Sequence, residues 1–108
     1  MKKESDFVVV LITASSQSEA NHIADALVHE KLAPCASVVP EVFSTYWWDG
    51  DVQSAKESLL IVKTKSDLFE ALKDRVLELH SYDVPEIICM PLVKASEDYL
   101  SWMKDYLK

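Results

Sequence analysis

The chain has 108 residues, with 18 carboxylates against 11 Lys and Arg for a formal net charge of -7, a single glycine and two cysteines. That length suits one domain, and one glycine excludes the phosphate-cradling loops of Rossmann and P-loop enzymes, which need several residues without a Cβ. The acidic balance argues against nucleic acid and against an anionic membrane surface, and leaves cations, neutral molecules and proteins as partners.

Residues 1–6 read as a short charged lead-in without a secretion pattern, and no apolar run approaches the roughly 20 residues of a bilayer span. The expected compartment is the cytoplasm. Cys35 and Cys89 match neither a disulfide framework nor a metal knuckle, so both are expected as reduced thiols, with Cys89 inside Ile87-Ile88-Cys89-Met90 placed in the core.

In chain order, Phe7 to Ile12 is an unbroken apolar run and predicts the first strand. Ser16 followed by Glu19 is a capping box, and Ala20, Ile23, Ala24 and Leu27 form the stripe of a first helix. A second strand carries Pro34 and Pro40. Asp49-Gly50 is a two-residue hairpin turn that joins it to a third strand, in an arm with Phe43, Thr45 and Trp47 on one side and Ser44, Tyr46 and Trp48 on the other. Leu59 to Val62 repeats the apolar run. The second helix is expected to open at Ser66 or Asp67, Glu70 completing a box for Asp67, with Phe69, Leu72, Val76 and Leu79 as its stripe. A fourth strand lies between Pro85 and Pro91, and a third helix starts at Ser96 with Leu100, Met103 and Leu107 along one side.

Displacing the sequence by 51 residues superposes Thr13 on Thr64, Ser15 on Ser66, Glu19 on Glu70, Ala20 on Ala71, His29 on His80, Pro34 on Pro85 and Pro40 on Pro91. Two strand-helix-strand units in series predict an α+β, ferredoxin-like split βαβ fold, antiparallel with sheet order 4-1-3-2. The prolines then fall on the two edge strands, where a missing N–H is tolerated. The expected organisation is a single domain over 1–108, with the ferredoxin-like core at 7–95 and the C-terminal helix at 96–108. Both central strands are apolar on both faces, and one C-terminal helix is too narrow to cover four strands, so a neighbouring copy is the expected cover. The aromatic arm is expected to pack on that copy.

Lys31-Leu32-Ala33-Pro34-Cys35-Ala36, the turn Tyr46-Trp47-Trp48-Asp49-Gly50, Glu57 ahead of Leu60-Ile61-Val62-Lys63-Thr64, and His80-Ser81-Tyr82-Asp83-Val84-Pro85-Glu86-Ile87 together resemble the divalent-cation tolerance proteins of the CutA family. The resemblance runs from Val8 to Trp102. It implies a cytoplasmic homotrimer, similar in architecture to the PII signalling proteins and linked to tolerance of copper and other divalent metals. Ser37 and Asp83 stand where the family commonly has Asn and Glu, and Pro34 replaces a usual Ala. Ile12 and Leu79 stand where some members offer Cys and His to copper, so weak metal binding is expected.

The predicted topology brings the exit of strand one, the start of strand three and the entry to strand four together. Thr13, Ser15, Glu57, His80, Tyr82, Asp83 and Glu86 then share a neighbourhood close to the arm. An imidazole with carboxylates suits a borderline divalent ion, which makes His80, Asp83, Glu86 and Glu57 candidate metal ligands, with no obligatory cofactor. The competing reading has His80 and Glu86 making hydrogen bonds that fix a subunit interface. Tyr46, Trp48, Lys63 and Tyr82 are candidate interface or cleft residues, Lys63 paired with Glu57 or Glu86 across the interface. Cys35 lies about six strand residues, on the order of 20 Å, from His80 and is a thiol candidate only. His22, Asp25 and His29 read as a solvated helix face. No motif supports a named reaction, so an enzyme is not expected. A PII-like trimer that binds a small molecule or protein, without a metal site, is the alternative.

Overall fold

The computed structural model describes residues 6–108, so the first five residues of the lead-in lie outside it. Its elements are β1 (Phe7–Ala14), α1 (Gln17–His29), β2 (Cys35–Trp48), β3 (Asp51–Lys65), a 3₁₀ turn (Ser66–Leu68), α2 (Phe69–Leu79), β4 (Ile87–Pro91) and α3 (Glu97–Lys104). The strands form one sheet in the order β2-β3-β1-β4, the expected order read from the other edge. All three pairings are antiparallel. The fold is therefore the ferredoxin-like α+β arrangement, and the chain's prolines flank or sit in its edge strands.

One face of the sheet carries the helices. Val8, Val10, Ile12 and Ala14 from β1 alternate with outward residues and pack with Leu60 and Val62 from β3, Ala20, Ile23 and Leu27 from α1, and Leu72 and Val76 from α2. Burying these side chains supplies most of the stabilisation, at about 25 cal/mol per Å² of apolar surface. Thr64, fully buried beside them, donates its hydroxyl to the Leu32 carbonyl at 2.6 Å.

The other face is half-buried at its centre and open along β4. By alternation and register it presents Val9 and Leu11 of β1, Leu59 and Ile61 of β3, and Ile88 and Met90 of β4. Ile88 and Met90 are 47% and 42% exposed. The third helix covers one end of this face, where Lys63 Nζ lies 6.0 Å from the centre of the Tyr99 ring and where Phe7 and Met103 are buried.

The helix ends differ in part from expectation. Ser16 caps α1 by accepting the Glu19 N–H at 3.1 Å, but the Glu19 carboxylate does not return to Ser16. It accepts from the Ser15 N–H and hydroxyl instead, at 2.9 and 3.0 Å, and its other oxygen accepts the Ser81 N–H at 2.9 Å. The loop crossing the start of α1 draws it away. The second helix has no side-chain cap: it starts as the 3₁₀ turn, and Glu70 pairs with Lys73 at 2.7 Å. Ser96 caps α3 through the Tyr99 N–H.

The end of α1 needs a left-handed residue, and the chain uses Lys31 there, at φ 60. The Leu32 N–H bonds the Leu27 carbonyl and the Lys31 N–H bonds the Val28 carbonyl, a Schellman closure with Leu27 and Leu32 both buried.

Cys89 is a correction. It pairs with Val10 and so points to the helix side, yet it is exposed, because β4 is the edge strand at the margin of the helix layer.

The hairpin arm follows its turn residues. Asp49 at φ 51 and Gly50 at φ 81 give two consecutive positive values, the requirement of a type I′ turn. Between Val39 and Val42 the pairing slips, so that Pro40 and Glu41 oppose Ser58 alone. The Ser58 hydroxyl fastens this bulge by donating to the Pro40 carbonyl at 2.6 Å.

Candidate functional site

At the base of the arm, on the open side of the sheet, lies a pocket of about 630 Å³. Thr13 at the end of β1, Glu57 of β3, Ser44, Thr45, Tyr46 and Trp48 of β2, and Tyr82, Asp83, Val84 and Glu86 of the loop before β4 line it. Three of these ten are carboxylates, three are aromatic, and none is basic.

Glu57 is the centre of the site. It is only 8% exposed, and one carboxylate oxygen accepts the Tyr82 hydroxyl at 2.9 Å. Among the described residues no Lys, Arg or His lies within ion-pair distance of it. A carboxylate so enclosed loses hydration that one hydroxyl does not replace, and a cation in the pocket would offset that cost. Burial first, and then the hydrogen bond to Glu57 and its charge, push the Tyr82 hydroxyl up to about 12, so Tyr82 stays a donor.

His80 stands behind the pocket wall. Its side chain is fully buried, with Nε2 2.7 Å from the Thr13 carbonyl and Nδ1 3.1 Å from the Tyr82 N–H. The first partner can only accept and the second can only donate, which fixes a neutral ring protonated on Nε2. His80 also stacks obliquely on Tyr82, with centroids 4.7 Å apart. Both nitrogens are thus engaged in tethering the loop to β1, and neither is presented to the pocket. Of the expected ligand set, Glu57, Asp83 and Glu86 line the pocket and His80 does not. Among the described residues no group of three or more His, Cys, Asp and Glu is close enough to hold a metal ion.

Glu19 supports the same loop from below. Burial pushes its carboxyl up, but the hydrogen bonds from Ser15 and Ser81 outweigh this and hold it at about 2. Its carboxylate is 3.9 Å from His80 Nδ1.

Lys63 and Cys35 lie elsewhere. They are opposite one another in the β2/β3 register, with Lys63 Nζ 3.9 Å from Cys35 Sγ and 6.0 Å from the centre of the Tyr99 ring. Within the chain, Lys63 is therefore remote from Glu57, and the cleft expected to contain Lys63 with Tyr46, Trp48 and Tyr82 keeps only the three aromatics. On α1, His29 bonds the Asp25 carbonyl of its own helix at 2.8 Å.

Sequence reasoning did not place Ser44, Thr45 or Val84 at the site, nor the bond from Ser81 to Glu19. The signal for Ser44 was the arm alternation, which becomes usable only once the bulge is known; Thr45 lies on the other side of that alternation, and nothing in the pattern marked it.

A split βαβ fold whose pocket combines carboxylates with aromatic rings and has no basic side chain among its lining residues is suited to a positively charged guest, not to phosphate. Residues 8–106 match the family described as CutA1 divalent ion tolerance protein, and the chain belongs to it. It is 46% identical over 97 residues to the divalent-cation tolerance protein CutA of Thermus thermophilus, covering 90% of this chain and 94% of that one. It is 41% identical over 98 residues to the chloroplastic protein CutA 1 of Oryza sativa, 91% of this chain. The chain spans about half the length of the chloroplastic plant relatives it matches, 55% of the rice protein and 54% of that of Arabidopsis thaliana. The solved structure of a divalent cation tolerance protein from Thermus thermophilus superposes with a TM-score of 0.92, covering 94% of this chain and 99% of that one at 44% identity. No helix among the described residues is long and apolar enough to cross a membrane.

Proposed function

We propose that this chain acts in divalent-cation tolerance, copper included, as a cytoplasmic homotrimer of single-domain subunits, and that it binds metal ions weakly at the pocket instead of catalysing a reaction. The observation that carries this reading is the enclosed Glu57 carboxylate, which has no cationic partner among the described residues and faces a pocket that also holds Asp83 and Glu86. Oxygen donors suit Cu(II), Zn(II) and harder ions better than Cu(I), and a His80 with both nitrogens engaged points the same way. The trimer is supported by the open apolar face and by the exposed arm. The cytoplasm is supported by two free cysteines on opposite edge strands, too far apart to pair within one chain.

Calorimetric titration of Cu(II) and Zn(II) into wild type, Glu57→Gln and His80→Ala tests the site. The expected result is weak binding that disappears in Glu57→Gln and declines in His80→Ala, where the loop loses its tether. Equal binding by all three proteins would remove the assignment.

The second reading, a PII-like trimer that receives a small molecule, is favoured by the pocket volume, which is large for a bare ion. Native mass spectrometry of trimer from gently lysed cells would show a retained metabolite, and bare trimer throughout would count against it.

A further inference from the structure

The pocket's dimensions and lining say more about its guest than that it is positively charged. A metal ion gains most when several donors converge at about 2.0–2.6 Å, and no such group of three is present among the described residues. Separated carboxylates around a volume of about 630 Å³ instead match a molecule carrying separated charges. Ammonium groups need only one carboxylate each, and they tolerate variable spacing because a flexible chain joins them. Aromatic rings suit what lies between, since their faces attract cations and cover methylene groups.

Accepting that the pocket is the functional site, we infer that it binds a linear aliphatic diamine or polyamine. The ammonium groups are shared among Glu57, Asp83 and Glu86, and the hydrocarbon links lie against Tyr46, Trp48 and Tyr82. Glu57 is the anchor: Tyr82 engages one oxygen at 2.9 Å and orients the carboxylate, and the other oxygen has no hydrogen-bond partner among the described residues. Asp83 and Glu86 are exposed at the mouth and take the second charge. A nucleotide is disfavoured by the same lining, because no basic side chain meets its phosphates. Trp48, 58% exposed in the free chain, reports on occupancy by its fluorescence.

The test is titration of spermidine into the full-length protein in buffer containing EDTA, followed by calorimetry and tryptophan fluorescence, with 1,4-butanediol as the uncharged control and Zn(II) titrated separately without chelator. Saturable spermidine binding at one per chain, absent for the diol and weakened about tenfold in Glu57→Gln, is expected. Asp83→Asn with Glu86→Gln, at exposed positions where folding is not at stake, should weaken it several-fold. Spermidine binding that is absent, or unchanged in all variants, overturns the inference. If Zn(II) binding is nonetheless lost in Glu57→Gln, the amine is wrong while the pocket stands. If neither cation responds to Glu57→Gln, the pocket itself is wrong as the cation site.

Discussion

Glu19 shows how much one side chain can hold. Its carboxylate closes the start of α1 and ties down the loop that carries Tyr82, Asp83 and Glu86. Because its folded value of about 2 lies below the ordinary 4.5, it favours the folded state above pH 4.5, and that contribution fades as pH falls through 2. Urea unfolding of Glu19→Gln should therefore show a loss of about 1–2 kcal/mol at pH 7 that shrinks towards zero near pH 2. A pH-independent difference would mean that the charge is not what matters. Lys31 is the opposite case, a residue whose backbone is strained where glycine would not be. Lys31→Gly should raise stability by about 0.5–1 kcal/mol, read as a higher urea midpoint at unchanged slope. The strained position was hidden in the sequence because the usual glycine marker is missing, although Leu27 and Leu32, five apart and both apolar, were a usable sign of the closure. His80 was legible as a member of the site, but its role depended on two backbone partners, Thr13 and Tyr82, and backbone partners leave no trace in composition.

Among the elements, legibility followed the strength of the local signal. The first and third helices announced themselves at Ser16, read as a cap, and at Ser96, read as the start, and both serines cap. The second did not, because Glu70 serves Lys73 and no side chain caps the turn at Ser66. The two helices that cover the sheet are joined by a forked contact from Arg75 to Glu30, with Nε and Nη2 each at 3.0 Å from a carboxylate oxygen. Both side chains are about one-third exposed, so the pair is partly screened. A double-mutant cycle of Glu30→Gln and Arg75→Gln should give a small favourable coupling at low salt that shrinks at high salt. The thiol of Cys89 was misplaced because an apolar run on an edge strand looks the same as one in the centre.

For the whole molecule, sheet order was readable because the repeat and the proline positions agreed on which strands are central. The open face was readable too, from strands apolar in every position. If a second copy covers that face, Ile88→Glu should shift sedimentation from trimer to monomer at micromolar concentration while far-ultraviolet circular dichroism stays unchanged. An unshifted trimer would place the contact elsewhere. The bulge at Pro40 and Glu41 reaches furthest of all. Side chains three apart, Val39 and Val42, point the same way because of it, and everything beyond inherits that parity. Deleting Glu41 alone would rotate the arm by half a pleat, bringing the side chains of Phe43 and Trp47 over the pocket and turning those of Ser44, Tyr46 and Trp48 outward. The guest preference of this site is therefore encoded partly in a count of residues, and a one-codon deletion could rewrite it without touching any residue of the wall.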